Sequence, residues 1–129
     1  MVERLVGGAR HAADCVQSMC ASMRMGMPPQ PRVLIQFRQW MKDASGSAGQ
    51  LAHAQQNPAY LGLRDQMEAT VPLVMNAAMS RDARAGLMLA KTGAILDRLW
   101  RTAAQTAVAK PIARQDVLAM LDERKAQVH

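Results

Sequence analysis

One Phe, one Tyr and two Trp are the only aromatic residues in this chain of 129. Strands draw on aromatic and β-branched side chains, so this scarcity weighs against a sheet. Half of the residues are apolar, and without aromatics the core has to be built from Leu, Met, Val and Ala. Those residues are mostly good helix formers. The expected fold class is all-α, a helical bundle of four to five helices with Pro-marked turns. The length suits one domain. Ala buries little area, so such a core needs closely packed helices or a partner that completes it.

Prolines divide the chain. Leu5, Ala9, Ala12, Val16, Met19 and Met23 recur at helical spacing and predict a first helix over residues 2–25. Met27-Pro28-Pro29-Gln30-Pro31 ends it, since three prolines remove three backbone donors. That break could leave residues 1–27 a loosely attached N-terminal helix, and Met23, Met25 and Met27 would each serve as an alternative start. A second helix begins near Arg32 and carries Val33, Leu34, Phe37, Trp40 and Met41. The small residues of Ala44-Ser45-Gly46-Ser47-Ala48-Gly49 predict a break near Gly46, followed by a helical turn from Leu51 to Gln56.

Asn57-Pro58 is a helix start, with Asn as N-cap and Pro in the first turn. The helix over 58–79 contains Pro72, which should kink or divide it. Ser80 is expected to cap a fourth helix over 81–108. There Leu89, Leu96, Leu99 and Ala103 form the apolar stripe, broadened by Met88, Ile95 and Trp100. Lys110-Pro111 breaks that helix, and a last one is expected over 112–127.

The net charge of +6 favours an acidic partner, either protein or nucleic acid. The charge is concentrated: residues 81–110 hold Arg81, Arg84, Lys91, Arg98, Arg101 and Lys110 against Asp82 and Asp97. Arg84, Lys91 and Arg98 recur every seven residues and so lie along one line of the fourth helix. A basic ridge of about 25 Å, at 1.5 Å per residue, could follow a phosphate backbone or an acidic helix. The alternative is an ordinary solvated face, with Asp97 and Arg101 as an i,i+4 pair. A helix-turn-helix reader is poorly supported, because the segment over 112–127 has equal numbers of acidic and basic residues. Base stacking is weak too, with few aromatics and with Phe37, Trp40 and Trp100 expected in the core.

Catalytic signatures are lacking. His11, His53 and His129 are scattered, and no His-x-x-x-His, Cys-x-x-Cys, Gly-x-Ser-x-Gly or phosphate-loop motif occurs. His11, Cys15, Cys20, Met23, Met25 and Met27 are soft or borderline ligands in one region. Alternation by two, however, spreads the Met sulfurs around a helix, and Met is a common core filler. No metal or cofactor is therefore expected. Cys15 and Cys20, five apart on one helix, read as reduced thiols of a cytoplasmic protein. No apolar run reaches the length of a membrane span.

The expected function is a non-enzymatic interaction or adaptor protein that self-associates, as a homodimer, and binds an acidic macromolecule or partner helix. Contact would be made through Arg84, Lys91, Arg98 and Arg101, with Phe37, Trp40 and Met41 as a further interface. The alternative is a small nucleic-acid-binding regulator or accessory factor that uses the same ridge on phosphates.

Overall fold

A computed structural model describes residues 1–80 and 82–109. Within them the chain forms four long helices: α1 (Val2–Arg24), α2 (Pro31–Ala54), α3 (Ala59–Met79) and α4 (Ala85–Val108). Short loops make consecutive helices antiparallel. Helices α1 and α3 each pack against both α2 and α4. The result is a four-cornered up-down-up-down bundle, with α1 diagonal to α3 and α2 diagonal to α4. The fifth helix expected over 112–127 lies outside the described residues.

The expected break near Gly46 does not occur: α2 runs unbroken through residues 44–49. Ala44, Ser47 and Ala48 are buried there, and their small side chains let α1 come close. A Cβ built on Gly8 of α1 would lie 3.1 Å from the Trp40 carbonyl oxygen and 3.2 Å from the Ala44 Cβ. Glycine in a helix costs roughly 1 kcal/mol relative to Ala, and tertiary packing of this kind outweighs it. Pro72 likewise leaves α3 undivided. The proline is exposed, so its ring faces solvent and the carbonyl it leaves without a helical donor can be hydrated. Helix α4 starts at Ala85, later than residue 81, because the residues before it form a capped turn. Asp82 N–H donates to Ser80 Oγ (3.1 Å), and Arg84 N–H donates to Asp82 Oδ1 (3.0 Å). Asn57 Oδ1 accepts from Ala59 N–H at 3.1 Å, the cap expected for α3.

Two helices end in the same backbone motif. At the end of α1, Met27 N–H donates to Ser22 O (2.9 Å) and Gly26 N–H to Met23 O (3.0 Å), with Gly26 at φ +74°. At the end of α2, Asn57 N–H donates to Ala52 O (3.1 Å) and Gln56 N–H to His53 O (3.4 Å), with Gln56 at φ 49°. These are Schellman caps, whose left-handed residue is usually Gly. A non-glycine residue in that conformation costs about 1–2 kcal/mol, and Gly gives part of this back through the entropy of the unfolded chain. Gln56→Gly should therefore raise stability by roughly 0.5–1 kcal/mol. A chemical-denaturation midpoint that stays put or falls would contradict this reading of the cap.

The core is built mainly of aliphatic, Met and Ala side chains. Leu5, Val16, Met19, Phe37, Met41, Met67, Val74, Leu89 and Leu96 are fully buried, together with Ala9, Ala12, Ala44, Ala48 and Ala103. Helix α1 is part of this core on both flanks, since Gly8 meets α2 while Val16 meets Gly93 of α4. The buried Thr70 and Thr92 hydroxyls donate to the carbonyls four residues back, at 2.6 and 2.7 Å. Tyr60 is also fully buried, but its hydroxyl has no hydrogen-bond partner among the described residues. An orphaned buried hydroxyl carries a desolvation penalty of about 1–3 kcal/mol. Tyr60→Phe is therefore expected to be at least as stable as the native chain, and a clear drop in melting temperature would reveal a partner for the hydroxyl.

Candidate partner-binding surface

The line predicted from sequence is present on α4. Arg84, Lys91 and Arg98 are all exposed, and none has a carboxylate within ion-pairing distance among the described residues. Its surroundings differ from expectation. Met88 and Ile95, read from sequence as part of the core stripe, are 50 % and 40 % exposed. The core face of α4 is narrower and consists of Ala85, Leu89, Thr92, Leu96, Leu99 and Ala103. Thr92 belongs to it because its hydroxyl is satisfied within the helix.

Met88 and Ile95 repeat the seven-residue spacing of the cations and lie roughly 50° around the helix from them. Gly93 contacts Val16, and Trp100 lies beneath Arg10, so that flank of α4 faces α1. The Met88 and Ile95 flank therefore faces α3. On α3, Arg64 sits against Gly49 of α2. The opposite flank, which carries the 46 % exposed Leu73, faces α4. By helical geometry Leu73 projects from the α4 side of α3 and Met88 and Ile95 from the α3 side of α4, with Arg84, Lys91 and Arg98 beside them and further toward solvent on α4. The carboxylates of α3, Asp65 and Glu68, lie away from these side chains, Asp65 paired with Arg64 and Glu68 on the α2 flank.

Arg101 stands apart from this face. It lies roughly 60–80° around α4 from the ridge, and its guanidinium is 5.2 Å from the Trp100 ring centroid. Arg10 of α1 approaches the same ring at 5.5 Å. The expected Asp97–Arg101 ion pair is not formed. Asp97 Oδ1 instead accepts the indole N–H of Trp100 at 3.0 Å. Arg10 therefore ties α1 to α4 through the indole, while the Arg101 contact lies within α4, each cation–π contact contributing about 0.5–1 kcal/mol at an exposed site.

Phe37 and Met41 are in the core, so of the three residues considered for a further interface only Trp40, 36 % exposed, reaches the surface. There its ring stacks on His11 with centroids 4.4 Å apart. That stack sets His11 against α2 and away from the soft ligands downstream. Among the described residues, no group of three or more His, Cys, Asp or Glu converges. Cys15 and Cys20 are free and buried. Burial pushes both thiol pKa values up; Asp14 adds to the effect at Cys15, and Arg24 partly offsets it at Cys20. No helix of the described residues is long and apolar enough to cross a membrane.

No known protein family, curated protein or solved structure matches this chain. The functional reading rests on the surface itself.

Proposed function

We propose that this protein is a non-enzymatic adaptor that binds an acidic amphipathic helix in the groove between α3 and α4. The observation that carries the reading is the interleaving on α4: exposed Arg84, Lys91 and Arg98 alternate along the helix with exposed Met88 and Ile95. A partner helix with carboxylates and apolar residues in a seven-residue repeat would match both rows at once. The apolar row distinguishes this partner from nucleic acid, because Met and Ile gain nothing from a phosphate backbone. The ridge also argues against self-association through this face. An antiparallel two-fold pairing of α4 centred on Lys91 would oppose Lys91 to itself and Arg84 to Arg98, and like charges in such positions are unfavourable.

The runner-up, phosphate binding, rests on the same three cations. The test titrates the protein into two labelled probes at stepped salt concentrations. One is a heptad peptide of Glu and Leu, the other random duplex DNA and RNA. The adaptor reading expects peptide binding that salt weakens without abolishing. Nucleic-acid binding that falls linearly on a log–log salt plot, with a slope near −3 for three phosphates, would put the regulator reading first. Neither probe binding at about 50 mM salt would sink both, because screening is weak there.

A further inference from the structure

The end of the bundle that holds the α1–α2 and α3–α4 loops carries an open surface cleft. It measures about 900 Å³, and its apolar lining includes Cys20, Met23, Met27, Leu34 and Met79. Its volume lies in the range of sites that enclose small molecules. Its lining is unusual in chemistry: one thiol and three thioethers reach it from two distant parts of the chain. The sequence spreads Met23, Met25 and Met27 around a helix, but α1 stops at Arg24 and Gly26 reverses the backbone. Met23 and Met27 therefore both face the cleft while Met25 does not. Flexible, polarisable Met side chains adapt to apolar ligands of varied shape.

Two features leave this space open. Gly86 and Ala90 of α4 line it, and a Cβ built on Gly86 would meet nothing within 4 Å. Among the described residues, Arg24 in the last turn of α1 is the basic one at the wall, and it has no ion pair there. Asp82 is also at the wall, its carboxylate held toward α4 by accepting the backbone N–H of Arg84 at 3.0 Å, so the acid head has to lie on the Arg24 side.

We propose that this cleft binds a free long-chain carboxylate, the aliphatic chain lying among Met23, Met27, Leu34 and Met79 and the carboxylate meeting Arg24. The chain is apolar and unbranched, which suits a Met-lined wall. The acid head matches the Arg24 guanidinium, which has no carboxylate partner among the described residues, and charge-assisted pairs of this type are the stronger hydrogen bonds. This site is separate from the α3–α4 groove, and neither reading depends on the other.

The full chain is titrated into dansyl-labelled undecanoate below its micelle threshold, followed by displacement with oleate and with oleyl alcohol. The expected result is saturation at one probe per chain, reversed by oleate and at least tenfold less well by the alcohol. Gly86→Leu, which fills open space and improves helix propensity, should abolish binding. Arg24→Glu should weaken it at least tenfold. Met79→Glu, at a 73 % exposed position, should weaken it comparably, and provides a second blocking variant should Gly86→Leu lose its helical circular-dichroism signal. The proposal is overturned by absence of saturation, by native-like binding in folded Gly86→Leu or Met79→Glu, or by equal displacement by acid and alcohol.

Discussion

Phe37→Ala should destabilise the protein by about 3–5 kcal/mol, the cost of emptying a large aromatic site in a packed core. Phe37 is fully enclosed, and few other side chains in this core approach its volume. The core it belongs to is rich in Ala, and helices α1 and α2 already approach closely at Gly8 and Ala44. Such a site cannot collapse much, which places the cost toward the upper end of the range. Against a typical stability of about 5–15 kcal/mol, the melting temperature should drop by more than ~10 °C. Trp40→Ala provides the contrast. Trp40 is 36 % exposed and stacks on His11, so its loss should cost roughly 1 kcal/mol. Thermal melts of the two variants at several protein concentrations check the assignment. Equal losses, or a Phe37 effect that varies with concentration, would mean that Phe37 serves an interface between chains and not the core of one.

Reversing Arg84, Lys91 and Arg98 together to Glu should weaken binding of the acidic heptad peptide on the order of a hundredfold or more. Each exposed pair contributes about 0.2–1 kcal/mol, and each reversal replaces attraction with repulsion of similar size. Six such contributions sum to several kcal/mol, and 1.4 kcal/mol is tenfold in affinity. Glu is as good a helix former as Arg or Lys, and all three positions are exposed, so helicity should be retained. Arg101→Glu alone should affect the peptide little, because its guanidinium lies over Trp100 on the α1 side. Fluorescence anisotropy of the labelled peptide with both variants decides the matter. A triple variant that binds as tightly as the native chain would reduce the ridge to a solvated face.

Much of the fold was legible in the residues. Pro28, Pro29 and Pro31 mark the first turn and Asn57-Pro58 the second, each by a local mechanism that needs no tertiary contact. Ser80, by contrast, ends α3 and does not cap α4, which starts at Ala85. The apolar positions of α1 and the Leu stripe of α4 point inward as their spacing requires. The failures were of another kind. Gly46 read as a break because a helix propensity is a local quantity, whereas the reason for small residues at 44–48 lies on α1. Met88 and Ile95 read as core because a wheel assigns every apolar residue near the stripe to the same side. How wide a stripe the bundle covers depends on the angle between neighbouring helices.

The ridge on α4 could be drawn from sequence because a seven-residue repeat determines a line on any helix. Its partner row could not, and neither could the departure of Arg101, which follows Trp100 and Arg10 across a helix–helix boundary. The cleft lined by Cys20, Met23, Met27 and Met79 is further still from what a linear reading can reach, since Met79 joins the others only when the bundle closes. Helix, turn and charge line are properties of neighbours in the chain, separated by a few residues and a few ångströms. Grooves and clefts are properties of neighbours in space. They depend on which helix lies beside which and how closely, and in a core this rich in Ala and Gly that distance is set by packing between helices.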